Sequence, residues 1–115
     1  MYFADTFKMV EDASKLNADA EDAFLDDPEY GLVPEKPIYT HGVAGSNEYL
    51  DNLCGPSGEK LIWSRTHTTT SPGITGIIDV YQGKLSTGAN YKVLYINMYG
   101  TKNSSVIPRG FTRNK

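Results

Sequence analysis

The spacing of apolar residues changes along this chain, and each change predicts an element. Over residues 3–25, Phe3, Phe7, Val10, Ala13, Leu16, Ala20 and Phe24 recur at steps of three or four. That spacing lines one face of a helix, and neither Pro nor Gly interrupts it. Asn17 and Asp19 are weak helix formers and good N-caps, so two shorter helices broken near Asn17 are an alternative. Three prolines, Pro28, Pro34 and Pro37, then exclude a helix and favour an extended connector. Ile38-Tyr-Thr reads as a short edge strand and His41-Gly-Val-Ala-Gly as a turn. Ser46 reads as the N-cap of a short helix within residues 46–54, which Gly55-Pro56 ends.

Beyond residue 60 the period drops to two. Leu61 to Thr68 is a predicted strand, with Leu61, Trp63, Arg65 and His67 on one side and Ile62, Ser64 and Thr66 on the other. Ile74–Gly83 and Tyr91–Gly100 form the densest run of β-branched and aromatic residues, a predicted hairpin with its turn near Gly83–Asn90. Alternation places Ile74, Ile78 and Val80 with Leu94, Ile96 and Met98 on an aliphatic face. It places Ile77, Asp79 and Tyr81 with Tyr91, Val93, Tyr95 and Tyr99 on the other.

These elements predict an α+β fold. An antiparallel three- to four-stranded meander sheet carries a long N-terminal helix packed on one face, with a short second helix. The strand order changes if Ile38–Thr40 joins the sheet. At 115 residues the chain is expected to be one domain. Its parts are an acidic helical segment (1–27), a connector (28–45), the short helix (46–54), the β-meander (60–100) and a basic tail (101–115). Val106, Ile107 and Phe111 are expected to dock the tail back, leaving its last residues loose.

Composition is that of an ordinary soluble globular protein, which sets disorder aside. The single cysteine, Cys54, cannot form an internal disulfide and favours a reducing compartment. The opening residues lack the basic start and apolar core of a signal peptide, and no apolar run approaches membrane-spanning length. The expected address is therefore cytoplasmic, with no membrane partner.

Charge is unevenly distributed. Residues 1–35 hold ten acids against two bases, while residues 60–115 hold eight bases against one acid, Asp79. Either the two halves complement each other internally, or one of them meets a charged partner.

Candidate chemistry is sparse. Gly42, Gly45 and Ser46 before a helix could form an anion site, since glycine lets backbone N–H groups approach a ligand. No lysine follows in P-loop fashion, and a tight turn accounts for the same residues. His41, His67, Asp79 and Arg65 are the weak candidates for a hydrolase or nuclease, but no spacing ties them together. His41, Cys54 and His67 lack the short ligand spacing of a zinc site, so neither metal nor cofactor is expected. Tyr81, Tyr91, Tyr95 and Tyr99, joined by Trp63, are the strongest binding candidates, because such rings anchor protein interfaces. A covered, structural face is the alternative. The strings Tyr95-Ile-Asn-Met-Tyr-Gly and His41-Gly-Val-Ala-Gly have the look of a small bacterial domain, a likeness that carries no activity.

The favoured expectation is a small protein-binding module without catalysis, of an inhibitor or immunity type, that uses the aromatic face. Nucleic-acid binding through the basic half and a small hydrolase or nuclease are the alternatives. Oligomeric state is left open.

Overall fold

A computed structural model describes residues 27–114 of the protein. The helix expected over residues 3–25 lies outside the described residues. In chain order the elements are β1 (Ile38–Tyr39), α1 (Gly42–Asp51), β2 (Leu53–Cys54), β3 (Leu61–Thr69), β4 (Ile78–Leu85), β5 (Asn90–Asn97) and β6 (Thr112–Arg113).

The expected antiparallel meander beneath a long and a short helix is overturned. The main sheet runs β1-β5-β4-β3 and is mixed: β1 lies parallel to β5, while β3, β4 and β5 pair antiparallel. A second, two-stranded sheet joins β2 to β6. The described residues hold far more strand than helix, and their only helix has ten residues. Ile38–Tyr39 does join the sheet, and it does so in parallel because the chain crosses over through α1, β3 and β4 before β5 returns beside it.

Pairing between strands also corrects the expected faces. Tyr81 stands opposite Leu94, Asp79 opposite Ile96, and Val80 opposite Tyr95. Residues directly opposite share a face, so Leu94 and Ile96 lie with Asp79 and Tyr81, while Ile78 and Val80 lie with Val93 and Tyr95. The expected grouping is one residue out of register, and such a slip exchanges the faces. Two bulges shift the pattern further. Between Arg65 and His67 the register slips, so Arg65 pairs with Tyr81 but His67 with Val80, and the two side chains part to opposite faces. A second shift between Gln82 and Lys84 brings Tyr91 to the packed face. Ile74 to Ile77 is not strand. Ser71 accepts a turn bond from the Ile74 N–H (3.1 Å), and positive φ angles at Gly73 and Gly76 break the run.

The packed face carries Ile38, Leu61, Trp63, Tyr81, Leu94 and Ile96. It is covered by Tyr30 and Leu32 from the connector, Tyr49 and Leu50 of α1, Leu53, and Val106, Ile107 and Phe111 of the tail. Each such aliphatic or aromatic side chain contributes about 1.5–3 kcal/mol through burial. Phe111 sits between Trp63 (ring centroids 5.9 Å apart) and Tyr91 (5.4 Å, edge to face). The tail is fastened beyond it as well, by the Thr112 hydroxyl donating to the Gly55 carbonyl (2.7 Å) and the Asn114 N–H to that of Asn52 (2.7 Å).

Helix α1 starts four residues earlier than Ser46. His41 occupies the N-cap, but its side chain makes no capping bond and its Nδ1 meets the Gly100 carbonyl instead (3.1 Å). Asn103 acts instead: its Oδ1 accepts from the His41 N–H and its Nδ2 donates to the Gly45 carbonyl, both at 2.9 Å. A capping group from sixty residues away is invisible to local reading. The connector is held at Gly31, whose N–H donates to Lys36 and whose carbonyl accepts from Tyr95. Its φ of +76° and the Ile38 side chain, 2.7 Å from where a Cβ would stand, both require glycine there.

Candidate functional site

Helix α1 and strand β3 meet along a groove. Asn47, Leu50 and Asp51 share one face of α1, since residues three and four apart are neighbours on a helix. Opposite them stand Leu61, Ile62 and Trp63 of β3, with Tyr81 of β4 behind. The groove holds about 440 Å³. Consecutive strand residues point to opposite faces, so a groove touching both Ile62 and Trp63 reaches the backbone of β3 at the edge of the sheet. Past the antiparallel bridge that joins Lys60 to Cys54 at its start, that edge is open: among the described residues β3 itself pairs with β4 alone and ends the sheet. Ile62 is 60% exposed.

Packing fixes the Trp63 ring. It lies across Gly83, where an added Cβ would come within 2.9 Å of Cζ3, and leans on Phe111. Its Nε1 is buried and has no hydrogen-bond acceptor. Buried polar groups are nearly always bonded, and an orphaned donor costs about 1–3 kcal/mol.

Cations lie near the groove rather than in its lining. Lys60 precedes β3, Arg65 lies within it, and Lys84 stands opposite Ile62. Arg65 reaches the buried Asp79 (Nη1 to Oδ1, 3.6 Å), a long contact for an ion pair whose cation is half in water. Asp51 is the acid on the helix wall. Burial raises the pKa of the Tyr81 phenol, the Asp79 charge adds to that and Arg65 opposes it, so the hydroxyl stays a neutral donor at neutral pH.

Of the predicted binding residues, the structure brings Trp63 and Tyr81 to this groove. Tyr91 shares the packed face, donating to the Gly110 carbonyl at 2.5 Å. Tyr95 is on the opposite face, half-buried. Tyr99 follows β5, 55% exposed, with its ring against Gly76. The five rings therefore form no single surface.

The weak catalytic candidates do not converge as a set. His41 sits beside β1 and His67 on β3, at opposite edges of the sheet, separated sideways by three strand spacings, about 14 Å, and offset along the strands as well. His67 Nδ1 lies 3.0 Å from the Thr66 hydroxyl, on the face away from Asp79. Only Arg65 and Asp79 meet. The anion candidates are engaged within the fold: the N–H groups of Gly42 and Gly45 donate to the carbonyls of Met98 (2.8 Å) and His41 (3.1 Å). The Ser46 hydroxyl bonds to Thr40 (2.7 Å) and the Gly42 carbonyl (3.1 Å). Among the described residues, no three His, Cys, Asp or Glu side chains gather as metal ligands, and no helix is long and apolar enough to cross a membrane.

Sequence reasoning missed Asn47, Leu50, Asp51, Leu61 and Ile62 as groove residues. One signal was present: Ile62 is the lone aliphatic residue on a strand face otherwise made of Ser64 and Thr66. The helix wall left none, because its position depends on where Asn103 starts α1.

Comparison with protein-family models, with curated proteins and with solved structures gives no significant match.

Proposed function

We propose that this chain is a protein-binding module that engages a segment of its partner in the groove between α1 and β3. The observation that carries this reading is the groove's course over an open strand edge, between Leu50, Leu61, Trp63 and Tyr81 on one side and the exposed Ile62 on the other. A trough with an aromatic and aliphatic wall beside the polar Asn47 and Asp51 supplies what interface anchors need, desolvated pockets rimmed by polar groups. Recognition rather than catalysis is favoured by the separation of His41 from His67 and of His67 from Asp79. The single cysteine suits a reducing compartment, so the partner is sought among cytoplasmic proteins.

Ile62→Glu tests this, since the position is exposed enough to take a charge without unfolding the chain. Full-length wild type and variant serve as baits for cross-linking and capture. The expected result is a partner cross-linked near Lys60 and lost with Ile62→Glu, at an unchanged unfolding midpoint. A partner held equally by both baits would sink the groove as the binding site.

A further inference from the structure

Resting on that reading, we infer that the partner segment binds as an added β-strand along the outer edge of β3, residues Leu61–Arg65, and that this segment is acidic. A strand at the end of a sheet presents unpaired backbone donors and acceptors, a template for another extended chain. Here the template has a defined length. The register slip between Arg65 and His67 breaks the edge at one end and the Cys54–Lys60 bridge bounds it at the other, leaving Leu61–Arg65 as its regular half, and this is the half the groove follows. An incoming strand alternates its side chains, so one set drops into the groove against Trp63, Leu61 and Leu50 while the other crosses Ile62.

Charge selects the occupant. Lys60 and Arg65 flank the regular half and Lys84 stands across from Ile62. Lys60 and Lys84 have no ion-pair partner among the described residues, and Arg65 has only the 3.6 Å contact to Asp79. Asp51 is the single opposing acid on the groove wall. A second copy of this chain fits poorly: antiparallel self-pairing of Leu61–Arg65 sets Arg65 of each copy opposite Leu61 of the other, with no acid on either strand to meet it. An extended segment with Asp or Glu alternating with β-branched residues meets the same edge with opposite charge.

The test is selection of random dodecapeptides displayed on phage against the full-length protein, followed by titration of synthetic copies of the enriched sequences. Trp63 is the only tryptophan in the chain, so intrinsic emission reports on the groove wall directly. Enrichment of acidic, β-branched sequences that shift Trp63 emission is expected. N-methylation at alternate residues along one peptide edge, which deletes strand hydrogen bonds and keeps every side chain, should weaken binding roughly tenfold or more, and along the other edge should not. The double variant Lys60→Glu, Lys84→Glu should weaken it by a similar factor, about tenfold. Peptides that shift Trp63 emission but tolerate methylation along both edges would overturn strand addition and leave the groove reading standing. Enriched basic sequences would overturn the charge assignment, as would a single-stranded oligonucleotide that shifts Trp63 emission more tightly than any peptide. If no selected peptide moves Trp63 emission, the groove reading itself falls.

Discussion

The two edges of the sheet are built in opposite ways. At the β1 edge the strand is two residues long, Ile38 is fully buried, and the outer side is closed by the tail, whose Ser104 N–H donates to the Tyr39 carbonyl (2.9 Å). On its inner side the pairing with β5 runs on through Thr40, whose N–H donates to the Asn97 carbonyl (3.0 Å) and whose carbonyl accepts from the Gly100 N–H (2.9 Å). At the β3 edge nine residues run along the end of the sheet, and Ile62 and the stretch from Ser64 to Thr68 are exposed. Open edges invite indiscriminate pairing, and proteins blunt them with bulges and cations. The β3 edge has one bulge and several cations, yet keeps a regular stretch beside an apolar groove. One edge is closed within the fold, and the other is the one proposed for recognition.

The largest effect expected from this contrast is on stability. Ile38→Ala at the closed edge should cost roughly 2–5 kcal/mol in urea unfolding, whereas Ile62→Ala at the open edge should stay within about 0.5 kcal/mol. Equal costs at the two positions would erase the distinction. Gly31→Ala should follow at about 2–3 kcal/mol, because the new Cβ meets Ile38 and the residue keeps a left-handed backbone. Its penalty should shrink in an Ile38→Val background if the clash is the cause.

Gly83→Ala sharpens the open side. Its Cβ would press on the Trp63 ring, so a cost of about 1–2 kcal/mol and a shifted Trp63 emission are expected. An unchanged emission maximum would mean the ring does not rest where the groove needs it.

The smallest effect belongs to the connector leading to β1. Lys36 holds Asp27 (2.6 Å) and Glu29 (3.0 Å) at the surface. The bond from Lys36, then the Glu29 N–H, lower the Asp27 pKa, while Asp27 and then Glu29 raise that of Lys36. A lowered carboxylate stabilises the fold above its ordinary value of 3.8, and that share is lost as pH falls through its folded value. A raised lysine stabilises it below 10.5, and its share is lost as pH climbs past that. Lys36→Met should therefore be slightly less stable than wild type between those limits, and the gap should close in acid. A gap that persists at pH 2 would mean the side chain acts through packing instead.

Much of the local structure is written in the sequence. The alternating runs after residue 60 become β3, β4 and β5, Ile38-Tyr becomes a strand, and Val106, Ile107 and Phe111 fold the tail back onto the sheet. Trp63 and Tyr81 stand out in the sequence as candidates by residue type, although not as neighbours of α1.

What the tertiary structure alone decided is how those pieces face one another. Alternation fixes the two faces within a strand, but nothing local says whether Leu94 meets Val80 or Tyr81, and that one-residue choice decides which rings are packed and which are turned outward. The bulge at Thr66, the start of α1 and the parallel seat of β1 have the same origin. Each depends on a partner remote in sequence, such as Asn103 capping a helix sixty residues before it, and so exists only once the chain has closed on itself.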